Sequence, residues 1–166
     1  WRADSRGLYG SIDDAGTRRV WELPLKGKPR PVTGAGDFTG LALSRGRNSV
    51  LVGLRESFVT PPTLVRIDPK KGAATAIESR NQERLAAIDS GSYESVSYAG
   101  ANGASIQMWV NYPANFDPAK RWPVILLLHG GPHNGVTDAY SWRWNAQAFA
   151  ARGYVVAWHN FHGSSG

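Results

Sequence analysis

The run Trp122-Pro123-Val124-Ile125-Leu126-Leu127-Leu128-His129-Gly130-Gly131-Pro132 constrains the fold more than any other stretch of the chain. Continuous aliphatic residues from Val124 to Leu128, without polar alternation, read as a strand covered on both faces in a mostly parallel sheet. The run halts at a histidine and two glycines, so this strand delivers a loop whose backbone is not shielded by Cβ atoms. Downstream, Ser141 to Arg152 carries Trp144, Ala148 and Ala151 at helical spacing, ended by Gly153 as a left-handed cap. Tyr154-Val155-Val156-Ala157-Trp158 reads as the next buried strand. Strand, loop, helix and strand make a βαβ unit, so the second half opens an α/β fold.

Before about residue 90 the pattern is different. Short apolar segments punctuated by Gly, Pro, Asp and Asn predict strands at Gly7–Ser11, Arg18–Leu23, Phe38–Leu43, Ser49–Leu54, Thr63–Ile67 and Ala73–Ile77, with no amphipathic helix. Leu8-Tyr9-Gly10 recurs as Leu51-Val52-Gly53, and Leu25-Lys26-Gly27 as Lys70-Lys71-Gly72. A period of about 40 to 45 residues with four short strands per unit suits a β-propeller blade, with an antiparallel sandwich as the alternative. Two blades cannot close a ring, so the chain is expected to be a piece of a larger protein. Glu94–Tyr98 and Ala104–Tyr112 around Asn102-Gly103 predict a hairpin.

Composition removes several function classes. At 166 residues, 42% hydrophobic and 19% charged, the chain is globular and has room for roughly one domain or two incomplete ones. The formal charge of +6 comes from scattered Lys and Arg, with short doublets such as Arg18-Arg19 and Lys70-Lys71, which reads as solvated surface and not as a nucleic-acid interface. With no cysteine, disulfide scaffolding, cysteine-ligated zinc and thiol catalysis are excluded. No aliphatic run reaches the roughly twenty residues of a membrane span. The first residue, Trp1, leaves any targeting signal undecided, and the compartment stays open.

In an open α/β sheet, ligands bind beyond the carboxyl ends of the strands, where both His129-Gly130-Gly131-Pro132 and His159-Asn160-Phe161-His162-Gly163-Ser164-Ser165-Gly166 fall. Exposed backbone N–H groups there suit a developing oxyanion, and in α/β-hydrolases a Gly-rich loop after a strand supplies one such donor. No Gly-x-Ser-x-Gly nucleophile turn occurs before Gly166.

These residues resemble the prolyl oligopeptidase family of serine peptidases, in the branch of acylaminoacyl peptidases and bacterial dipeptidyl peptidases. The resemblance rests on the strand entering His129-Gly130-Gly131-Pro132, on Gly153-Tyr154-Val155-Val156, and on Asn160 to Gly166. Upstream it takes in Asn81, Glu94, Val96, Asn102-Gly103, Ile106, Trp109 and Pro113. It implies C-terminal blades of a β-propeller over residues 1–90 and the opening part of an α/β-hydrolase domain over 91–166. The parent enzyme would cleave short peptides through an acyl-enzyme, the propeller filtering substrates by size. The Ser-Asp-His triad would lie beyond Gly166, leaving this chain inactive alone. Of the catalytic apparatus only the oxyanion loop maps here: the Gly131 N–H as donor, supported by His129, Gly130 and Pro132. No cofactor is implied. The partners implied are a short peptide substrate and the remainder of the polypeptide, in the periplasm or cytoplasm of a bacterium, with the oligomeric state open. His162 departs from an Asn-x-Arg-Gly-Ser pattern common among relatives and marks a branch. An esterase or lipase of the same fold, or a non-catalytic propeller binding module, stands as the alternative.

Simpler roles are expected elsewhere. His129 fixes its loop and is not the catalytic base, because hydrolase chain order places Ser and Asp before the catalytic His. His133, His159 and His162 match no zinc spacing. Ser164-Ser165 forms a turn, Trp142, Trp144, Tyr154 and Trp158 pack, and Glu83 and Arg84 are surface charges. Uncovered sheet edges would leave the isolated chain prone to aggregation.

Overall fold

The computed structural model describes residues 1–46, 48–78, 80–131 and 133–165, and these form two sheets. The first contains β1 (Gly7–Asp14), β2 (Thr17–Pro24), β3 (Arg30–Pro31), β4 (Asp37–Leu43), β5 (Leu51–Ser57), β6 (Thr60–Ile67) and β7 (Ala74–Ala76). Their order is β1-β2-β4-β5-β6-β7, with β3 also on β2. All neighbours are antiparallel except for the single parallel pair Arg18↔Asp37 joining β2 to β4.

Local chemistry explains the hairpins. Ala15 and Gly16 turn β1 into β2 with φ of 49° and 76°, the left-handed pair of a tight turn that follows strand twist. After β6, the Asp68 carboxylate accepts the Lys70 and Lys71 N–H groups and the chain returns through Gly72. The repeat has a structural meaning: β1–β2–β3 recurs as β5–β6–β7, so Leu8-Tyr9-Gly10 and Leu51-Val52-Gly53 occupy equivalent strands. Val20, Val32, Phe38, Leu51, Val65 and Ile67 bury one core, each contributing about 1.5–3 kcal/mol relative to exposure.

The second sheet runs β10-β11-β9-β8, from β8 (Tyr93–Ala99), β9 (Ser105–Asn111), β10 (Val124–Leu127) and β11 (Val155–His159). Asn102 and Gly103, at φ of 55° and 75°, turn β8 into β9. Strands β10 and β11 are parallel, and α2 (Ala146–Ala150) lies in their connection. Its core of Phe58, Trp109, Val136, Ala146, Ala150 and Val156 takes Phe58 from the β5–β6 turn. That ring meets Tyr93 and Trp109 edge-on at 5.2 and 5.5 Å, pinning the two sheets together.

Several expectations need correction. The helix expected over Ser141–Arg152 is confined to α2, because Ser141 Oγ accepts the Arg143 and Trp144 N–H groups in a turn. Asn145 then caps the helix by accepting the Gln147 N–H at 2.9 Å. A short helix, α1 (Gln82–Ala86), forms where none was expected; it buries no residue and so leaves no apolar stripe in the sequence. Within these residues one face of β10 is open: Val124 and Leu126 are 62% and 54% exposed, and Leu128 just after it is 67% exposed. Trp142 and Trp144 are exposed as well, whereas Trp158 packs against the second core.

Candidate functional site

Because β10 and β11 are parallel neighbours, the segments leaving their carboxyl ends emerge side by side. The His129 ring stacks on Phe161 at 4.2 Å and 10°. Its Nδ1 lies 2.8 Å from the Gly130 carbonyl oxygen, which can only accept, so Nδ1 carries the proton and donates. Nε2 lies 2.8 Å from Ser164 Oγ. The Ser164 hydroxyl donates to the Phe161 carbonyl at 2.7 Å, and the Ser164 N–H donates to the same oxygen. Ser164 therefore belongs to a turn that holds a histidine.

This arrangement bears on the next peptide. The Gly130–Gly131 unit is planar, and in a trans peptide the C=O and N–H point in opposite directions. Holding the Gly130 carbonyl against His129 thus aims the Gly131 N–H away from the ring. Gly130 and Gly131 are both exposed, and among the described residues neither N–H is tied to another group. A Cβ on Gly131 would stand 3.0 Å from the His133 nitrogen, so the tight course of the loop favours glycine there. Pro132, expected to support the loop, lies outside the described residues.

The following strap is tied on both sides. Asn160 Oδ1 accepts the Val136 N–H at 2.6 Å, while Nδ2 donates to the Val136 carbonyl and to Gln107 Oε1. Toward the first sheet, Thr137 Oγ1 donates to Asp37, and the Asp138 N–H donates to the Gly16 carbonyl at 3.1 Å. The Tyr140 N–H donates to Glu56 at 3.0 Å. Ser165 Oγ donates to Asp13, which also accepts Arg18 Nε at 2.9 Å. Between strap and first sheet lies a cleft of about 640 Å³ lined by Asp13, Arg18, His129, Gly130, Trp142 and Arg143. Burial raises the carboxyl groups of Asp37 and Glu56, and raises Asp138 to about 6 with help from the neighbouring Asp37 charge.

The other histidines are not gathered here. His133 and His162 are exposed, and His159 Nδ1 meets the Tyr98 hydroxyl at 2.8 Å. Among the described residues no three His, Cys, Asp or Glu side chains group to hold a metal ion, and no helix is long and apolar enough to cross a membrane. Glu83 and Arg84 are exposed. Sequence reasoning overlooked Asn160 as a clamp, the buried acids Asp37 and Asp138, and the half-buried Glu56. For Asn160 the available signal was an amide side chain directly after a buried strand; the acids are met only across the fold.

No family model matches the chain. Its sequence is similar to dipeptidyl-peptidase 5 of Porphyromonas gingivalis, at 36% identity over 168 residues, covering 100% of this chain and 24% of the relative. Dipeptidyl-peptidase 5 of Porphyromonas endodontalis is 40% identical over 149 residues, covering 89% of this chain and 21% of that protein. The structure of acylaminoacyl peptidase from Pyrococcus horikoshii shares the fold, with a TM-score of 0.79 at 18% identity over 98% of this chain and 24% of that one. The chain spans about a quarter of the length of these relatives. In sequence along its length the chain is similar to a quarter of the dipeptidyl-peptidase 5 proteins, and in fold to a quarter of the acylaminoacyl peptidase, the kinds of protein that the prolyl oligopeptidase resemblance named.

Proposed function

We propose that this chain is the junction of a serine peptidase: propeller blades over residues 1–90, then the opening of an α/β-hydrolase domain over 91–166, with the Gly131 N–H donating to the oxyanion. The whole protein cleaves short peptides, releasing dipeptides or acylated amino acids. One observation carries the reading: the open Gly131 N–H is aimed by His129 at the carboxyl end of a parallel strand pair. The four-stranded meander β4–β7 and the recurrence of β1–β3 as β5–β7 support the blades. The parallel pair with α2 in its connection supports the hydrolase opening. The names of the relatives support a peptidase over an esterase.

In this reading a serine outside these residues attacks the scissile carbonyl, whose oxygen gains negative charge. The Gly131 N–H meets that charge in a fixed orientation, so no reorganisation is needed as it develops. His129 holds the donor peptide and takes no proton from the substrate. The test is labelling of the whole protein with a fluorophosphonate, followed by assay against N-terminally free and N-acylated chromogenic peptides. One labelled serine downstream of residue 166 with cleavage of either peptide class is expected. Labelling with hydrolysis of simple esters alone would favour the esterase, and absence of labelling would favour a binding module.

A further inference from the structure

The strap from Val136 to Tyr140 crosses to the first sheet over a group of acids that, among the described residues, outnumber the cations facing them. Asp37 is fully buried and Asp138 is 6% exposed, and among the described residues the Oδ1 atom of each is buried without a hydrogen-bond partner. Such an oxygen is costly as part of an anion and far less so when the carboxyl is neutral. The charged and titratable groups facing them come from every neighbouring element: Asp13 on β1, Arg18 on β2, Asp37 on β4, Arg55 and Glu56 on β5, and Tyr93 on β8. The strap itself adds the Thr137 hydroxyl and the Tyr140 N–H. Both cations have other engagements. Arg18 binds Asp13 at 2.9 Å and reaches Asp37 only at 3.9 Å, while the Arg55 guanidinium lies over the Phe38 ring at 5.7 Å.

We propose that the Val136–Tyr140 strap is a proton-operated latch, closed on the first sheet while the Asp37–Glu56–Asp138 cluster holds a proton and loosened when that proton leaves. All three carboxyls are raised by burial, Asp138 to about 6. An acid whose pKa is higher in the closed state binds protons preferentially there, so raising the pH weakens closure. Closure is therefore tightest below about pH 4, weakens between about 4 and 6, and is weakest above. For Asp138 moving from about 3.9 when exposed, the closing equilibrium falls about 25-fold between pH 4.5 and 8. The strap walls the cleft that also contains His129 and Gly130, so loosening admits larger substrates. This last consequence rests on the hydrolase reading; the latch itself does not.

The test is hydrogen exchange of the Thr137, Asp138 and Tyr140 amides in the whole protein between pH 4.5 and 8, corrected for intrinsic exchange rates. Protection should fall about 25-fold with a midpoint between the open and closed values of Asp138. Asp138→Asn should keep at pH 8 the protection that the native protein has at pH 4.5. Glu56→Gln keeps an oxygen for the Tyr140 N–H while removing a neighbouring charge; it should lower the midpoint, and it serves where Asp138→Asn does not fold. Native protection that is flat with pH, or a substituted strap with unchanged pH dependence, overturns the latch. Changing protection in a protein that no fluorophosphonate labels leaves the latch standing and removes the hydrolase reading.

Discussion

His129 is bound from three directions: a carbonyl at Nδ1, a hydroxyl at Nε2 and an aromatic face. A ring so held has one conformation, and through the planar peptide it passes that order to Gly131. Replacing it with alanine removes the hold on the Gly130 carbonyl and leaves the Gly131 N–H, the proposed oxyanion donor, in place. Steady-state kinetics of the whole protein carrying His129→Ala should show kcat lower by about 10-fold with KM nearly unchanged, because an oxyanion donor acts in the transition state and hardly in the ground state. A rise in KM alone would mean that His129 contacts substrate. Neighbouring Asn160 works on the same loop from the other side, gripping both polar groups of Val136 as a paired strand would.

Elements in this chain follow from turns as much as from apolar pattern. Gly103 has φ of 75° and open space where a Cβ would stand, so Gly103→Ala should cost about 1 kcal/mol, all of it conformational. Denaturant unfolding measures it, and no change would mean that the β8–β9 turn does not need its left-handed form. The β8–β9 hairpin was legible because Asn102-Gly103 carries its own geometry. The Val124–Leu128 run located β10 and the loop after it, and an unbroken run reads the same whether one face or both are covered. The helical spacing before Gly153 was real, but Ser141 and Asn145 offer side-chain acceptors that delay the first turn to Ala146. The acidic strap was illegible for another reason. Thr137 meets Asp37 from 100 residues away and Tyr140 meets Glu56 from 84, distances at which no local spacing carries a signal.

At the scale of the molecule, two sheets share Phe58, Trp109 and the strap, while β10 ends the second sheet with an apolar row facing out. An end strand offers unpaired backbone groups, and Val124, Leu126 and Leu128 add surface that water disfavours. The 166-residue chain on its own should therefore self-associate, and Leu126→Lys should shift its sedimentation toward the monomer. A native chain that sediments as monomer at all concentrations would contradict this. Whether the Gly131 N–H is an oxyanion donor of a serine peptidase can be seen in a crystal structure of the whole protein after reaction with a fluorophosphonate. A phosphoryl oxygen about 2.7–3.1 Å from the Gly131 nitrogen is expected. An adduct whose oxygen points elsewhere, with the Gly131 N–H turned away, would contradict it.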